Sequence, residues 1–339
     1  MKKFKILIFT IFLFISVIVI KDVYAQDYTK GLVAAPPYLS ENVGEGVKLT
    51  EDIRVSNHRD TDENLIVESR EVSIDENGNF YLPAGFENDY TSTFEKNGWL
   101  TFTPKEFFLR SGESQMVHVE VQIPSGLPTQ GYYLDIAIST KPSESKDLKV
   151  GLTPEIVIPI AINYIGKGGE IRELEIVSFK TDKVFYEYLP VNFITHITNK
   201  GNVHLIPVGQ IFVSRDKQFQ DNIASIQFNE SNQRIFYNAG RIFENKWEEG
   251  FLVKEEGKLQ INWQKLGLFR IGKYYAQLNL AWDGETGKKF VTAETSFWVF
   301  PWKLFLIIVG IILLFVFIRK SRKYLKDRKN RGVNKYMQK

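Results

Sequence analysis

The stretch FWVFPWKLFLIIVGIILLFVFI, from Phe297 to Ile318, constrains this chain more than any other. From Leu304 to Ile318 it holds 15 residues without a charge, and the run back to Trp298 is interrupted only by Lys303. A helix of that length rises about 1.5 Å per residue and matches the roughly 30 Å hydrocarbon core of a bilayer. Trp298 and Trp302 stand where an aromatic belt belongs, and Lys303 is placed to snorkel toward headgroups. Past residue 318 the chain turns basic, starting with Arg319 and Lys320 and carrying Asp327 as its one acid. That excess assigns 298–318 as a single transmembrane helix and 319–339 as a cytoplasmic tail at the plasma membrane.

The other terminus agrees. Lys2, Lys3 and Lys5 precede an apolar run from Ile6 to Ile20, and Val23-Tyr24-Ala25 supplies small residues at the positions a signal peptidase reads. Residues 1–25 read as a signal peptide; the alternative is an uncleaved N-terminal anchor. The net charge of the whole chain is +3. With the two basic ends set aside, the segment between them is about −10. It has no basic face of the kind that binds nucleic acid. There is no cysteine, so a disulfide framework, a thiol nucleophile and lipid attachment through Cys are all excluded. The helix is then the expected anchor.

Between the ends the pattern is short β-branched and aromatic runs broken by Gly, Pro, Asn and Asp. From Met116 to Ile123 apolar and polar residues alternate, with Val117, Val119, Val121 and Ile123 on one face, as in an antiparallel sheet covered on one side. Asp75-Glu76-Asn77-Gly78-Asn79 between Glu71–Ile74 and Phe80–Leu82 reads as a hairpin turn. Pro159, inside the apolar run Ile156–Ile165, calls for an edge or a bulge. Further strands are expected at 170–179, 191–198, 205–213, 223–228, 234–237, 250–254, 274–282 and 289–297. The fold class is all-β: two tandem antiparallel Ig-like sandwiches, 26–166 and 167–297, followed by the transmembrane helix. Gly166, Gly168 and Gly169 mark the boundary and the expected hinge. Two matches at an offset of 142 point to one fold used twice: Arg54-Val55-Ser56-Asn57 with His196-Ile197-Thr198-Asn199, and Tyr132-Tyr133 with Tyr274-Tyr275.

Candidate chemistry is sparse. His196 and His204 flank Asn199-Lys200-Gly201-Asn202; in a three-residue hairpin loop they would pair, but no acid lies at ligand spacing. Asp60, Asp62 and Glu63 cluster in one loop, where calcium or plain solvation are the two readings. No catalytic motif stands out, so no catalytic, metal or cofactor-binding residue is assigned. Trp247, flanked by charged residues, is the aromatic expected to be exposed and to serve an interface.

The order of parts resembles the WxL-interacting protein family of bacterial surfaces. The resemblance rests on Ile53-Arg54-Val55-Ser56-Asn57, on Asp75-Glu76-Asn77-Gly78-Asn79-Phe80-Tyr81, on Arg110 to Pro124, and on Asn199–His204 and Gly272-Lys273-Tyr274. It implies a peptidoglycan-binding first domain and a host-binding second domain. The expected function is a non-enzymatic, membrane-anchored surface adaptor that presents its sandwiches to cell-wall polymer or surface proteins, through strand edges or loop ends. The alternatives are a chaperone-like assembly factor for exported β-proteins and a cell-wall glycan hydrolase built on two carboxylates.

Overall fold

The computed structural model describes residues 31–75, 78–82, 91–141 and 155–336. The signal peptide expected at 1–25 lies outside them, as do Glu76 and Asn77 of the expected turn. The described residues form two compact units. The first takes residues up to Val72, Leu82–Pro124 and Tyr133–Ala161; the second takes Ser73–Tyr81, Ser125–Tyr132 and the chain from Ile162 onward.

In chain order the first part contains β1 (Leu32–Ala35), β2 (Leu39–Gly44), β3 (Lys48–Asn57), β4 (Glu63–Glu71), β5 (Ser73–Ile74) and β6 (Phe80–Tyr81). A short helix α1 (Thr93–Lys96) follows, then β7 (Leu100–Thr103), β8 (Glu106–Leu109), β9 (Ser114–Gln122), β10 (Gln130–Thr140) and β11 (Glu155–Ile165). They build a four-stranded sheet, β1-β3-β9-β7, and a five-stranded sheet, β2-β11-β10-β4-β8. The alternation read at 116–123 is realised: Val117, Val119, Val121 and Ile123 are buried, together with Ile53 and Val55 of β3. The other sheet contributes Leu65, Val67, Leu134, Ile136 and Ile138. Ser73 and Ile74 pair with Tyr81 and Phe80, so the expected hairpin forms. Pro159 is not on an edge, because β11 lies between β2 and β10; β2, with 6 residues, is too short to cover an 11-residue partner.

The second part contains β12 (Leu174–Thr181), β13 (Phe185–Tyr186), β14 (Val191–Asn199), β15 (Val208–Ser214), β16 (Asn222–Phe228) and β17 (Gly240–Trp247). Next come β18 (Leu252–Glu255), β19 (Lys258–Ile261), a 3-10 turn (Trp263–Leu268), β20 (Gly272–Asp283) and β21 (Lys288–Val299). The sheets are β12-β14-β17 and β13-β21-β20-β15-β16, with β18-β19 a separate ribbon. Their inner faces share one core that includes Phe193, Ile197, Val213, Phe228, Trp247, Tyr274 and Phe297. After β21 the chain enters α2 (Trp302–Tyr336). Its Trp302–Tyr324 portion, 23 residues whose most apolar 18-residue window has a mean hydropathy of 2.5, is long and apolar enough to cross a membrane, and no described residue covers that window.

The 142-residue correspondence has a structural counterpart. Asn57 ends β3 and Asn199 ends β14, each at the corner where the chain leaves one sheet for the other. Asn57 Nδ2 donates to Thr61 O at 2.8 Å and Leu109 O at 3.2 Å, while its Oδ1 accepts from Arg59 N at 3.0 Å. Asn199 Nδ2 donates to Val203 O at 2.7 Å and Ile235 O at 3.1 Å, and its Oδ1 accepts from Gly201 N at 2.8 Å. Both side chains are fully buried. Deleting such an amide strands buried main-chain groups, which cost about 1–3 kcal/mol each. Asn199→Ala should therefore lower the unfolding free energy by roughly 2–4 kcal/mol, read as a drop in urea midpoint, whereas exposed Lys200→Ala should leave it unchanged.

Candidate functional site

β16 and β17 are edge strands of the two sheets that make up the second sandwich. They run side by side without forming a ladder, and a cleft of about 520 Å³ opens between them. Gln227, Asn229, Gln233 and Asn245 bring amides to it, Glu230 and Glu244 bring carboxylates, and Ile242 and Phe243 its apolar surface. Asn245 Nδ2 reaches across from β17 to Gln227 O on β16, at 3.1 Å. Asn229 fixes the end of β16: its Nδ2 donates to Pro207 O at 2.7 Å and Gln233 O at 2.9 Å, and its Oδ1 accepts from Gln233 N at 2.8 Å.

The composition of β16, NIASIQF, sets it apart from the other long edge strands here. Sheet edges are normally guarded against strand addition by charge, proline, bulges or shortness. β12 carries Glu175, Lys180 and a register shift between Ile176 and Ser178. β17 carries Arg241, Glu244 and Lys246. β1, β7 and β8 have only 4 residues each. β16 has 7 residues and neither a charge nor a proline; its register shift falls at its first end, at Ile223, and Ala224–Phe228 pair regularly with β15.

Trp247 is not on the surface. It is 1 % exposed, edge-on to Tyr274 at 5.4 Å, with the Arg270 guanidinium over its ring at 5.3 Å. Its charged neighbours mislead because 240–247 is a strand: Glu244 and Lys246 point out while Phe243 and Trp247 point in. The expected strand at 234–237 is instead a loop with a single bridge, Leu205 to Ile235. Nor do His196 and His204 flank a hairpin, since β14 and β15 belong to different sheets. Among the described residues no three metal-ligating side chains gather. In the acidic loop, Asp62 accepts from Ser111 N at 3.0 Å and Glu63 pairs with Arg59 at 3.0 Å.

Trp298 lies in β21, opposite Phe185, rather than in the helix. Trp302 opens α2, and Lys303 Nζ sits 5.5 Å from its ring and 2.8 Å from Glu187. Arg319 and Lys320 fall within α2, which runs on through the basic stretch. Of the expected hinge, Gly168 and Gly169 take positive φ, where glycine is favoured. Gly166 is confined, because a Cβ there would meet Leu127 O at 2.3 Å. Lys167 N donates to Leu127 O and Thr129 N to Lys167 O, so the segment is tied to the preceding loop.

Among the buried groups, Asp135 and His204 are shifted to values between about 4 and 6. Asp135, on β10, is pushed up to about 6 by burial, against the pull of Arg70 and with a further push from Glu155. Its Oδ1 is buried without a hydrogen-bond partner among the described residues. His204 is held down at about 4 by burial, with Arg234 and Arg172 adding to the effect. Asp135 is outside the β16–β17 cleft and belongs to the first sandwich's five-stranded sheet, where burial raises its carboxyl.

No family model matches the sequence, and no curated protein does. Solved structures with related sandwiches include the class 5 fimbrial chaperone CfaA, with 14 % identity, a TM-score of 0.37, and coverage of 77 % of this chain and 98 % of that one. The Escherichia coli chaperone DraB gives 12 % identity and 0.34, covering 78 % and 97 %. The Pseudomonas aeruginosa chaperone CupB2 gives 8 % and 0.33, covering 78 % and 100 %. The all-β, Ig-like class expected from the strand pattern is the fold observed.

Both abnormal groups make stability depend on pH, with opposite signs. The folded Asp135 holds a proton that the unfolded chain has released, so its stabilising share is complete below about 3.9 and is lost as pH rises through about 6. Asp135→Asn should raise the urea midpoint at pH 7.5, by about 1–3 kcal/mol of stability, and leave it nearly unchanged at pH 3.5. The folded His204 refuses a proton that the unfolded chain accepts, so stability falls as pH drops from about 6.5 to about 4. His204→Gln should flatten that part of the stability–pH curve, worth roughly 3 kcal/mol across the window.

Proposed function

We propose that this is a single-pass protein of the cell envelope, with its sandwiches outside and its basic tail in the cytoplasm, that binds an extended segment of a protein partner as an added strand on β16. The observation that carries this reading is the uncharged, seven-residue edge facing an open cleft. A strand laid on it would take up free main-chain groups of β16, and its alternate side chains would face Phe243 and the cleft amides. Affinity would come from the backbone and selectivity from those pockets. No chemical step is needed.

Two roles use such an edge. A chaperone-like assembly factor holds a strand of an exported β-protein until its final partner replaces it. A surface adaptor keeps its partner beside the membrane; the resemblance to WxL-interacting proteins supports this second role, and with it contact to wall polymer. The edge itself favours strand capture in either role, and loss of the gene separates them: client proteins are degraded in the first case and mislocalised in the second.

Site-specific photocrosslinking in intact cells tests the common step. A crosslinker at Gln227, in the cleft, should trap a distinct envelope protein, whereas one at exposed Lys288 should not. Asn245→Trp, which puts a ring where the Asn245 amide now reaches from β17 to Gln227 O, should reduce crosslinking from Ser225 about tenfold or more while the protein still melts cooperatively. Equal crosslinking from Gln227 and Lys288, or no effect of the filling substitution, would overturn the reading.

A further inference from the structure

At the end of the second sandwich from which α2 departs, the chain builds a small module that stands outside the two sheets and packs Val253 against their core. β18 and β19 form a two-stranded ribbon in which Glu255 faces Lys258. Its turn, Glu256-Gly257, has positive φ at both residues (47° and 81°), the geometry that favours tight hairpins. The 3-10 turn follows directly. Trp263 is 72 % exposed and Leu266 58 %, with Ile261 and Ile271 also exposed. Trp263 touches Phe251 edge-on, at 5.5 Å, while the rest of its indole faces outward.

The module is moored to the root of the helix. Lys254 N donates to Leu189 O at 2.6 Å, and two residues before Leu189, Glu187 pairs with Lys303 of α2 at 2.8 Å. Phe251 N donates to Leu268 O at 3.1 Å, and Asn262 N to Phe251 O at 2.9 Å. Ile271 adjoins Gly272, which lies opposite Val299, the last residue of β21. Phe185 and Trp298, paired in register and both nearly half exposed, lie at this same end.

The distances decide what covers these side chains. Val299 ends the sheet and Trp302 starts the helix. Three residues reach at most about 10 Å even when extended. The headgroup zone is roughly 5–8 Å deep on each side of the hydrocarbon. With Trp302 at the hydrocarbon boundary, this end of the sandwich is therefore held within the headgroup zone or directly above it. Apolar side chains with Trp at their centre match that zone, where indole rings are enriched; beside them Lys265 pairs with Glu249 at 3.6 Å and Lys258 faces Glu255, so the module adds little net charge.

We infer that the β18–β19 ribbon and its 3-10 turn form a second membrane contact, a peripheral foot that beds Ile261, Trp263 and Leu266 among lipid headgroups beside the transmembrane helix. The inference rests on α2 spanning the bilayer. One short linker leaves a sandwich free to tilt, and a foot displaced from the helix axis removes that freedom. The foot thereby fixes the direction in which the second sandwich presents its β16 edge.

The native chain lacks cysteine, so single cysteines report cleanly. Full-length protein in phosphatidylcholine–phosphatidylglycerol nanodiscs would carry an environment-sensitive fluorophore at Leu266→Cys, at Ser231→Cys on the loop after β16, or at Leu313→Cys within α2. Lipid carrying a shallow doxyl group should quench roughly half or more of the Leu266→Cys emission, and aqueous iodide should quench little of it. Ser231→Cys should behave oppositely. Leu313→Cys should respond to deep doxyl lipid. If Leu313→Cys responds and Leu266→Cys is open to iodide, the foot is wrong and the anchor stands. If Leu266→Cys is shielded from iodide yet blind to doxyl lipid, protein covers the patch and the inference falls. If Leu313→Cys fails to respond, the anchor fails and the foot with it.

Discussion

A buried asparagine at a strand exit is the contact on which both sandwiches depend. A chain that leaves one sheet for the facing one must turn inside an apolar layer, where its main-chain groups lose water and their ladder partners together. A primary amide meets that need well, with two donors and an acceptor on a short stem. Asn57 and Asn199 use it alike, each donating to the carbonyl four residues on and accepting from the N–H two residues on. The second donor of each reaches a distant segment, Leu109 or Ile235. Each amide thus closes its own turn and fastens it to another loop. Asn229 makes a variant of it at the end of β16, donating to Pro207 O and to Gln233 O four residues on and accepting from the N–H of that same Gln233, so the edge proposed to receive a partner is also positioned by a buried amide.

Much of this was legible in the sequence, for a definable reason. Strands covered on one face must alternate, and Met116–Ile123 or Val191–Thr198 show the period plainly. The offset of 142 residues found the asparagine corners because the chemistry tolerates little else there. What escaped was structure whose residues look alike in a loop and at an edge. The charges around Trp247 read as the mark of an exposed ring, yet RIFENKW belongs to β17, an edge strand with a wet side. The cleft beside β16 escaped for the same reason: β16 was visible as a strand, but its being an uncharged edge beside a cleft depends on which strands lie beside it. Pairing across sheets also dissolved the expected His196–His204 hairpin, since nothing in Asn199–Asn202 says that the next strand belongs to the other layer.

The two ends of the second sandwich are built differently, and the difference follows from the helix. Away from α2, the corners are held by amides. Toward α2, aromatic packing dominates: Tyr274 stacks on Phe297 at 5.9 Å, Trp247 meets both edge-on, and Tyr186 closes on Phe297 from the side. β21 runs from this cluster into the helix with only Phe300 and Pro301 between. A force applied to the anchor is carried by the longest ladder in the sandwich, the β20–β21 pairing of 12 residues on each strand.

An unguarded edge is also a hazard, because two such edges can pair with each other. Here the cleft supplies discrimination that charge does not. β17 stands across from β16, and Asn245 already occupies the carbonyl of Gln227. A second sandwich approaching broadside would have to bring an entire sheet, with its loops, past β17 before any ladder could form. A single extended strand would have to displace only the Asn245 side chain from the Gln227 carbonyl. The acids Glu230 and Glu244 at the cleft add like-charge repulsion between identical copies. For the strand capture proposed above, the edge would discriminate by shape first and by charge second, admitting an isolated strand and turning away the flat edge of another folded copy.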